Sequence, residues 1–563
     1  MTKGSSWRAA PIAIIAAGLW LVFAYTVALR RPDAGVLSYG HHEWLTAHTL
    51  KFARIWWHEG AFNLDFLMME TPRDIEHPTL ASRQIYPSYP PGAVLAAYAA
   101  AKTLGVEPSV ALVMAFNRAL HLFIALCLSL AVWLWLPRQH WALRLLGGTM
   151  PGVCYLLLPG PMFWQQNVYF TDTAVMGPWA LLLLAISMER VVRRPWSEAL
   201  IAFAFVWGFA TDWFFVSIAL VLISVRVAVL LAGGRNLGGD VSWPRRLSRE
   251  VAGPALAGCL VFGFYGWQLT KHALWDTWRA KLALRTFSTG DGADSMRSNF
   301  NEVVWGYARE QYGSWGRALL FVAFVFAAIY VVQSLRLHRL RTTDADDLWS
   351  LPRTSFVAVA ALAPLLHTYL LKNHTYLHDF SALKHAVPLC CIPFAVLPRT
   401  LTELFSGRRF PKSAVIVAAA CLGLIYALLM HSRYRGMVPP RNPEIALMGD
   451  FVSRSTGYDD VVFSRLVKAE PYPSEPHLLS HSLKLIHQVD RIEQLAQWVD
   501  GLPAGANVVW FGDTGRDGEP VGGQALWAAG QRVSEGSMFL LRLSRERFRA
   551  RLQESGEAAH PEQ

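Results

Sequence analysis

Eleven apolar stretches, separated by short polar segments, organise the chain from its N-terminus to about residue 431. They run over 11–29, 110–136, 142–158, 173–189, 198–211, 214–232, 251–269, 316–335, 354–371, 381–398 and 413–431. A helix rises about 1.5 Å per residue, so roughly 20 apolar residues cross a hydrocarbon core of ~30 Å. The pattern therefore predicts an all-α polytopic membrane domain with about 11 spans over residues 1–431. The run Pro91–Gly105 is apolar too, but its clean stretch is only about ten residues, too short to span. It is read as an interfacial or re-entrant helix. After residue 432 the pattern changes. Asp460–Ser464, Leu485–Val489, Asn507–Gly512 and Met538–Leu543 read as strands, and Asp490–Asp500 reads as a helix closed by Gly501. A small α/β extramembrane domain over 432–563 is the expectation.

Composition agrees with a membrane protein. The 563 residues are 53% hydrophobic and 17% charged, against about 25% charged in soluble domains. The formal net charge of +11 is not a nucleic-acid signature, because the basic residues cluster between spans. The clusters are Arg138 and Arg144; Arg190, Arg193 and Arg194; Arg235, Arg245, Arg246 and Arg249; Arg336, Arg339 and Arg341; and Arg399, Arg408, Arg409 and Lys412. With the N-terminus inside, all five clusters fall on the inner face, as the positive-inside rule asks. The outer face then receives a long first loop over 30–109, a second large loop over 270–315, the short segments 159–172, 211–213 and 372–380, and the tail. Counting Pro91–Gly105 as a span would reverse that parity. Lys3 and Arg8 precede the first apolar run, which is too long for a signal-peptide core and is read as an uncleaved span. The six cysteines (Cys127, Cys154, Cys259, Cys390, Cys391 and Cys421) all lie in apolar stretches, so neither a disulfide framework nor a zinc site is indicated. Walker A, HExxH and CxxC motifs are absent from the sequence.

Candidate chemistry gathers on the outer segments. The first loop is far longer than the handful of residues most connections need. It holds His41-His42-Glu43-Trp44 and then Tyr89-Pro90-Pro91-Gly92. Glu43, partly desolvated among aromatics, is placed to accept a proton; the plain alternative is a loop carboxylate capping a short helix. Asp172, at the head of the 173–189 run, reads first as a helix-start carboxylate; together with Glu43 it would supply a second site carboxylate. Asp212, in a tight hairpin, reads first as a cap. His374, His378, Asp379, Lys384 and His385 head another span, where cations and imidazoles suit a lipid phosphate; ordinary interfacial polarity is the alternative. Arg118 lies within the second span, where a charge is costly without a partner.

The order of these features resembles the GT-C superfamily of polyprenyl-phosphate-dependent glycosyltransferases, whose members include protein O-mannosyltransferases and lipid A aminoarabinose transferases. The resemblance covers roughly 11–400. Glu43 matches the family's acidic residue after span one, Pro90-Pro91-Gly92 its Pro-Pro helix, Arg118 its span arginine, and Asp172 in Phe170-Thr171-Asp172-Thr173 its fourth-span aspartate. The run His374 to Asp379 is similar to one in bacterial members. Where the family often has Asp-Glu, this chain has His42-Glu43, so the need for a divalent metal is left open.

The resemblance implies an inverting membrane glycosyltransferase in a bacterial inner membrane, with a cytoplasmic N-terminus and a periplasmic tail domain. A polyprenyl-phosphate sugar would be the donor, and a periplasmic glycan, lipid or protein the acceptor. Glu43 and Asp172 would be catalytic. Arg118, His374, His378, Lys384 and His385 would hold the donor phosphate, with His41, His42, Tyr89, Asp212 and Asp379 in support. The rival from another class is a transporter or lipid-linked-sugar flippase. The scarcity of mid-span polar residues and the lack of paired inverted halves count against it. An oligosaccharide ligase or a phosphoethanolamine-type transferase is a second rival. The latter needs an Asp/His metal cluster that the tail lacks.

Overall fold

The computed structural model describes residues 6–35, 37, 41–136, 141–189, 191–192, 194–232, 243–286, 293–340, 351–396, 412–438, 443–467, 481–515 and 518–555. Within them the chain is mostly helical, with one small sheet near the C-terminus. Six helices are long and apolar enough to cross a membrane, or seven if the bent pair Trp141–Leu157 and Pro159–Asn167 is one span. The helix Gly92–Leu104 occupies the stretch expected to be interfacial; it has 13 residues, short of a span. Of the basic clusters, Arg138, Arg190, Arg193, Arg235, Arg341, Arg399, Arg408 and Arg409 lie outside the described residues.

Two compact units divide the chain, and neither is continuous. The first comprises residues 1–34, 87–93 and 114–438; the second comprises 35–86, 94–113 and 439–563. The long first loop is thus shared between units, which no hydropathy pattern announces.

In the first unit, apolar helices pack laterally: Phe214–Ala232 against Leu351–Leu370, Trp243–Lys271 against Arg194–Thr211, and Lys412–His431 against Trp141–Leu157. The segment expected as the 270–315 loop is mainly helix, in Trp275–Thr286 and the first part of Ala293–Leu340. The latter bends at Gly313, whose φ of 72° and ψ of 170° leave the helical region at a position only glycine occupies without strain. Arg226 is buried and ties three helices together: it meets Glu189 at 2.8 Å, Glu250 closely, and Ser355 Oγ at 3.3 Å. Three charges sequestered together satisfy one another where each alone would be costly.

The segment Pro87–Ala93 is clamped into this unit. Ser88 O accepts Trp213 Nε1 at 2.9 Å and Arg285 Nη1 at 3.0 Å, Tyr265 donates to Pro87 O, and Tyr169 donates to Ala93 O at 3.0 Å. A Cβ on Gly92 would lie 2.4 Å from the Ala210 carbonyl oxygen, so the close approach requires glycine there. In sequence this motif reads only as the Pro-Pro helix of the family it resembles. The structure adds a docking role for the glycine.

The second unit is built on a five-stranded sheet: β1 (Val461–Ser464), β2 (Ile486–Gln488), β3 (Asn507–Asp513), β4 (Gln531–Glu535) and β5 (Met538–Ser544), in the order β2-β1-β3-β5-β4. β1 pairs parallel with β2 and β3, while β5 pairs antiparallel with β3 and β4. Alternation sorts the two faces. Val461, Phe463, Val508 and Trp510 pack on one side with Leu495, Val499 and Phe548. Val462, Val509 and Phe511 pack on the other with Met448, Phe451 and Val452. β4 was missed by the sequence reading because its pattern is almost wholly exposed, leaving no buried face to detect.

Polar side chains of the first loop join this sheet domain. Arg83 grips Glu59 through two nitrogens at 2.6 and 3.1 Å, and the Tyr458 hydroxyl donates to the same carboxylate. His58 stacks on Tyr458 at 4.1 Å, and His487 meets Asp74 at 3.0 Å. Burial among these groups holds the Lys484 ammonium down to about 8, although its Nζ donates to the Tyr458 and Asp460 carbonyls.

Candidate functional site

Asp172 is the centre of a buried ionic cluster in the first unit. It is the second residue of the short helix Thr171–Ala174, whose start is closed by Thr173: the Thr173 hydroxyl donates to Phe170 O at 3.0 Å and lies 3.1 Å from Phe170 N. Oδ1 of Asp172 accepts a close hydrogen bond from Lys384 Nζ and lies 3.4 Å from His374 Nε2. None of the three side chains is more than 5% exposed. A lysine or carboxylate removed from water is stable only when paired, and here each supplies the other's countercharge.

The partners come from one polar stretch after the helix Leu351–Leu370. Leu371 leaves helical geometry at φ −108° and ψ 60°. The chain then forms the short helix Lys372–Leu377, which carries His374, and the 3-10 helix Asp379–His385, which carries Lys384. Lys384 also lies 5.4 Å from the centre of the Phe214 ring, a cation–π contact on its remaining side.

Two further polar groups face this cluster. Asp212 Oδ1 accepts the Phe214 amide at 2.7 Å, the capping contact expected of it, while its Oδ2 has no hydrogen-bond partner among the described residues. Asp212 is within electrostatic reach of Asp172, Lys384 and His374. His367 was not singled out from the sequence. It is buried, edge-on to Phe214 at 5.1 Å and to His374 at 6.2 Å, and neither ring nitrogen has a hydrogen-bond partner among the described residues. The available signal was a histidine inside an otherwise apolar span, where polar side chains are costly and functional more often than elsewhere.

Tyr89 joins the cluster's edge. Its ring meets Phe170 at 5.9 Å and His374 at 6.5 Å, and the Arg285 guanidinium lies 4.1 Å from its centre. His378 is half-buried, stacked on Phe380 at 4.7 Å and edge-on to His374 at 4.7 Å. His385, although adjacent to Lys384, stacks on Trp305 at 5.5 Å, with Nε2 3.3 Å from Thr368 Oγ1. It is held as a packed core residue. Asp379 is half-buried, and its backbone carbonyl accepts Gln311 Nε2 at 2.7 Å.

Arg118 is held elsewhere. Among the described residues its hydrogen-bond partner is Gln166 Oε1 at 3.4 Å. Gln166 in turn donates to Arg30 O at 3.0 Å. Arg30 is fully buried, and its guanidinium is spent on Thr26 O, Thr26 Oγ1 and Met162 O at 3.0–3.1 Å. His41, His42 and Glu43 open the helix His41–Glu59 of the second unit; their side chains lie outside the described residues. A cavity of about 580 Å³ opens in the sheet domain, lined by Glu519, Gln524, Trp527, Arg532 and Phe539 among others, and shares no residue with the Asp172 cluster.

Donor atoms of Asp172, His367 and His374 all lie within 4.8 Å of one another, the spacing of a metal-binding set. Chemically, then, the cluster offers a fixed ammonium, two imidazoles and two carboxylates in a water-poor setting. There a charge developing on a bound phosphate would be felt strongly.

No family model matches the chain, and no curated protein matches it in sequence. Among solved structures it is similar to the archaeal oligosaccharyltransferase AglB from Archaeoglobus fulgidus in complex with an inhibitory peptide and a dolichol-phosphate. The identity is 11%, the match covers 90% of this chain and 69% of that one, and the TM-score is 0.46. An Archaeoglobus fulgidus oligosaccharyltransferase tethered with an acceptor peptide matches at 11% identity over 98% of this chain and 68% of that one, with a TM-score of 0.44. ArnT from Cupriavidus metallidurans in the apo state matches at 12% identity over 96% of this chain and 99% of that one, with a TM-score of 0.41. At such identities and scores residue roles do not transfer from one chain to the other.

Proposed function

We propose that this chain is a GT-C-type membrane glycosyltransferase that moves a sugar from a polyprenyl phosphate to an acceptor hydroxyl on the outer side of a bacterial inner membrane. The observation that carries the reading is the buried Asp172–Lys384–His374 cluster, drawn from two distant stretches of the chain that the sequence pattern puts on the same membrane side. A lipid-linked donor enters from the bilayer, so a cluster of ammonium and imidazole donors at the ends of apolar helices is where its phosphate would arrive.

In this reading the acceptor oxygen attacks the anomeric carbon, the bond from that carbon to the phosphate oxygen breaks, and the polyprenyl phosphate leaves with the bonding pair. Configuration inverts at the anomeric carbon. Lys384 and His374 stabilise the charge growing on the phosphate, and Asp172 holds both in place. This refines the role that sequence reasoning gave Asp172. A carboxylate already engaged by an ammonium is a poor proton acceptor, so it acts by positioning. Glu43 remains the proposed base, taking the hydroxyl proton. Tyr89, clamped beside His374, supplies an aromatic wall of the kind that packs against a sugar face. Arg118, half-buried and without a carboxylate partner among the described residues, remains available to a second phosphate oxygen or to the donor's approach.

The test is a transfer assay with full-length protein in detergent, given radiolabelled undecaprenyl-phosphate sugars one at a time. Turnover of one donor with inverted product stereochemistry supports the reading. Failure to consume any polyprenyl-phosphate sugar while a soluble solute is transported in proteoliposomes would favour the transporter.

A further inference from the structure

The Asp172 cluster contains more ligating capacity than the proposed transfer uses. His367 takes no part in it, yet it is 2% exposed with both ring nitrogens unpartnered among the described residues. An imidazole so buried forgoes its hydrogen bonds to water, a cost of about 1–3 kcal/mol for each unsatisfied group, unless something absent from the protein chain occupies it. The ring is also within 4.8 Å, atom to atom, of donor atoms on Asp172 and His374. Asp212 Oδ2, likewise buried and unpartnered among the described residues, belongs to a residue within electrostatic reach of the same groups.

We infer that Asp172, His367 and His374 form a binding site for a divalent transition-metal ion. Two imidazoles and a carboxylate select a borderline ion such as Zn²⁺, Co²⁺ or Ni²⁺ over Ca²⁺ or Mg²⁺, which require mostly oxygen ligands. Three protein ligands also leave a coordination position open. On Asp172, Lys384 and His374 lie at Oδ1, while among the described residues Oδ2 has only the Thr171 hydroxyl at 3.5 Å. The carboxylate can therefore serve a metal and an ammonium at once, but the two cations repel. Lys384 is thus a built-in competitor that lowers the affinity of the site without abolishing it. The site stands independently of glycosyl transfer; only its nearness to a departing phosphate rests on that reading.

The test uses full-length protein in detergent, stripped with chelator, without donor or acceptor, so its outcome is separate from any transfer assay. Zn²⁺ loading followed by desalting and elemental analysis gives stoichiometry, and Co²⁺ titration gives affinity through its visible absorption. The expected result is one equivalent in the wild type, lost in His367→Ala and His374→Ala. In Lys384→Met, Co²⁺ affinity should rise about tenfold or more, as removal of a unit charge a few ångström from a dication requires even at an effective dielectric constant near 20. His367→Gln serves as a second variant if His367→Ala does not fold as a monodisperse protein. Equal metal retention in wild type and in the folded His367 variant overturns the assignment, and so does absence of binding in both wild type and Lys384→Met.

Discussion

Replacing Lys384 by methionine removes the ammonium from Asp172 while keeping a side chain of similar length against Phe214. Both members of the pair are almost fully buried, at 2% and 5% exposure, so water does not replace the lost partner. Breaking a buried ion pair costs about 3–5 kcal/mol, because the remaining charge is stranded. His374, 3.4 Å from the same oxygen, still contacts the carboxylate, which places Lys384→Met near the lower end, at about 3 kcal/mol. Asp172→Asn strands the ammonium instead and should cost a similar amount. The double variant strands neither charge, and replacing a whole buried pair by neutral groups is often close to neutral in stability. The two changes should therefore be coupled by about 2 kcal/mol or more. Unfolding in mixed micelles of rising denaturing-detergent fraction, followed by tryptophan fluorescence, measures all four proteins. Additivity within about 0.5 kcal/mol would mean that the two residues do not touch, and the account of the cluster would fail.

Three other outcomes follow from the same description. Glu43→Gln should fold and insert normally but lower transfer by about 10²–10⁴-fold, the usual loss with a general base; near wild-type turnover would move that role to another carboxylate such as Glu70 or Glu76. Arg118→Ala should raise the apparent Michaelis constant for the donor more than that for the acceptor in titrations at saturating co-substrate, since a charge-assisted phosphate contact is present before and after transfer; an effect on the acceptor alone would place Arg118 at the acceptor. Alkaline-phosphatase fusions after residue 440 should be active and fusions near residue 240 inactive; the opposite pattern would reverse the topology and separate the cluster from the periplasm.

The membrane character of the fold was legible because apolar length is a local property. The long runs at 11–29, 110–136, 214–232 and 413–431 all reappear as single apolar helices. The 381–398 run was less legible. It begins with the 3-10 segment Asp379–His385 and continues as the ten-residue helix Ala386–Ala395, with Pro393 inside it. Four strands of the tail were legible from β-branched and aromatic runs, but exposed β4 was not. Of the candidate site, Asp172, His374 and Lys384 could be nominated from polarity at span ends, yet their convergence could not, since Asp172 and Lys384 are 212 residues apart. His367 was hidden inside an apolar run. His385 looked equivalent to Lys384 in sequence, but one residue of rotation along the 3-10 segment turns its ring onto Trp305. The sharing of the first loop between the two units depends on pairs such as Glu59 with Arg83 and Asp74 with His487, which no periodicity encodes.

The central claim is that the Asp172–Lys384–His374 cluster is where the polyprenyl-phosphate sugar is cleaved. The most direct measurement is release of undecaprenyl phosphate from an accepted donor by wild-type protein and by the Asp172→Asn, Lys384→Met double variant in proteoliposomes. That variant is the decisive one because the charge balance of the cluster is preserved, so it should remain folded. The account predicts a fall in turnover of at least about 10²-fold, the scale of losing one preorganised donor to a developing oxyanion. A folded double variant that releases lipid phosphate at the wild-type rate would contradict it.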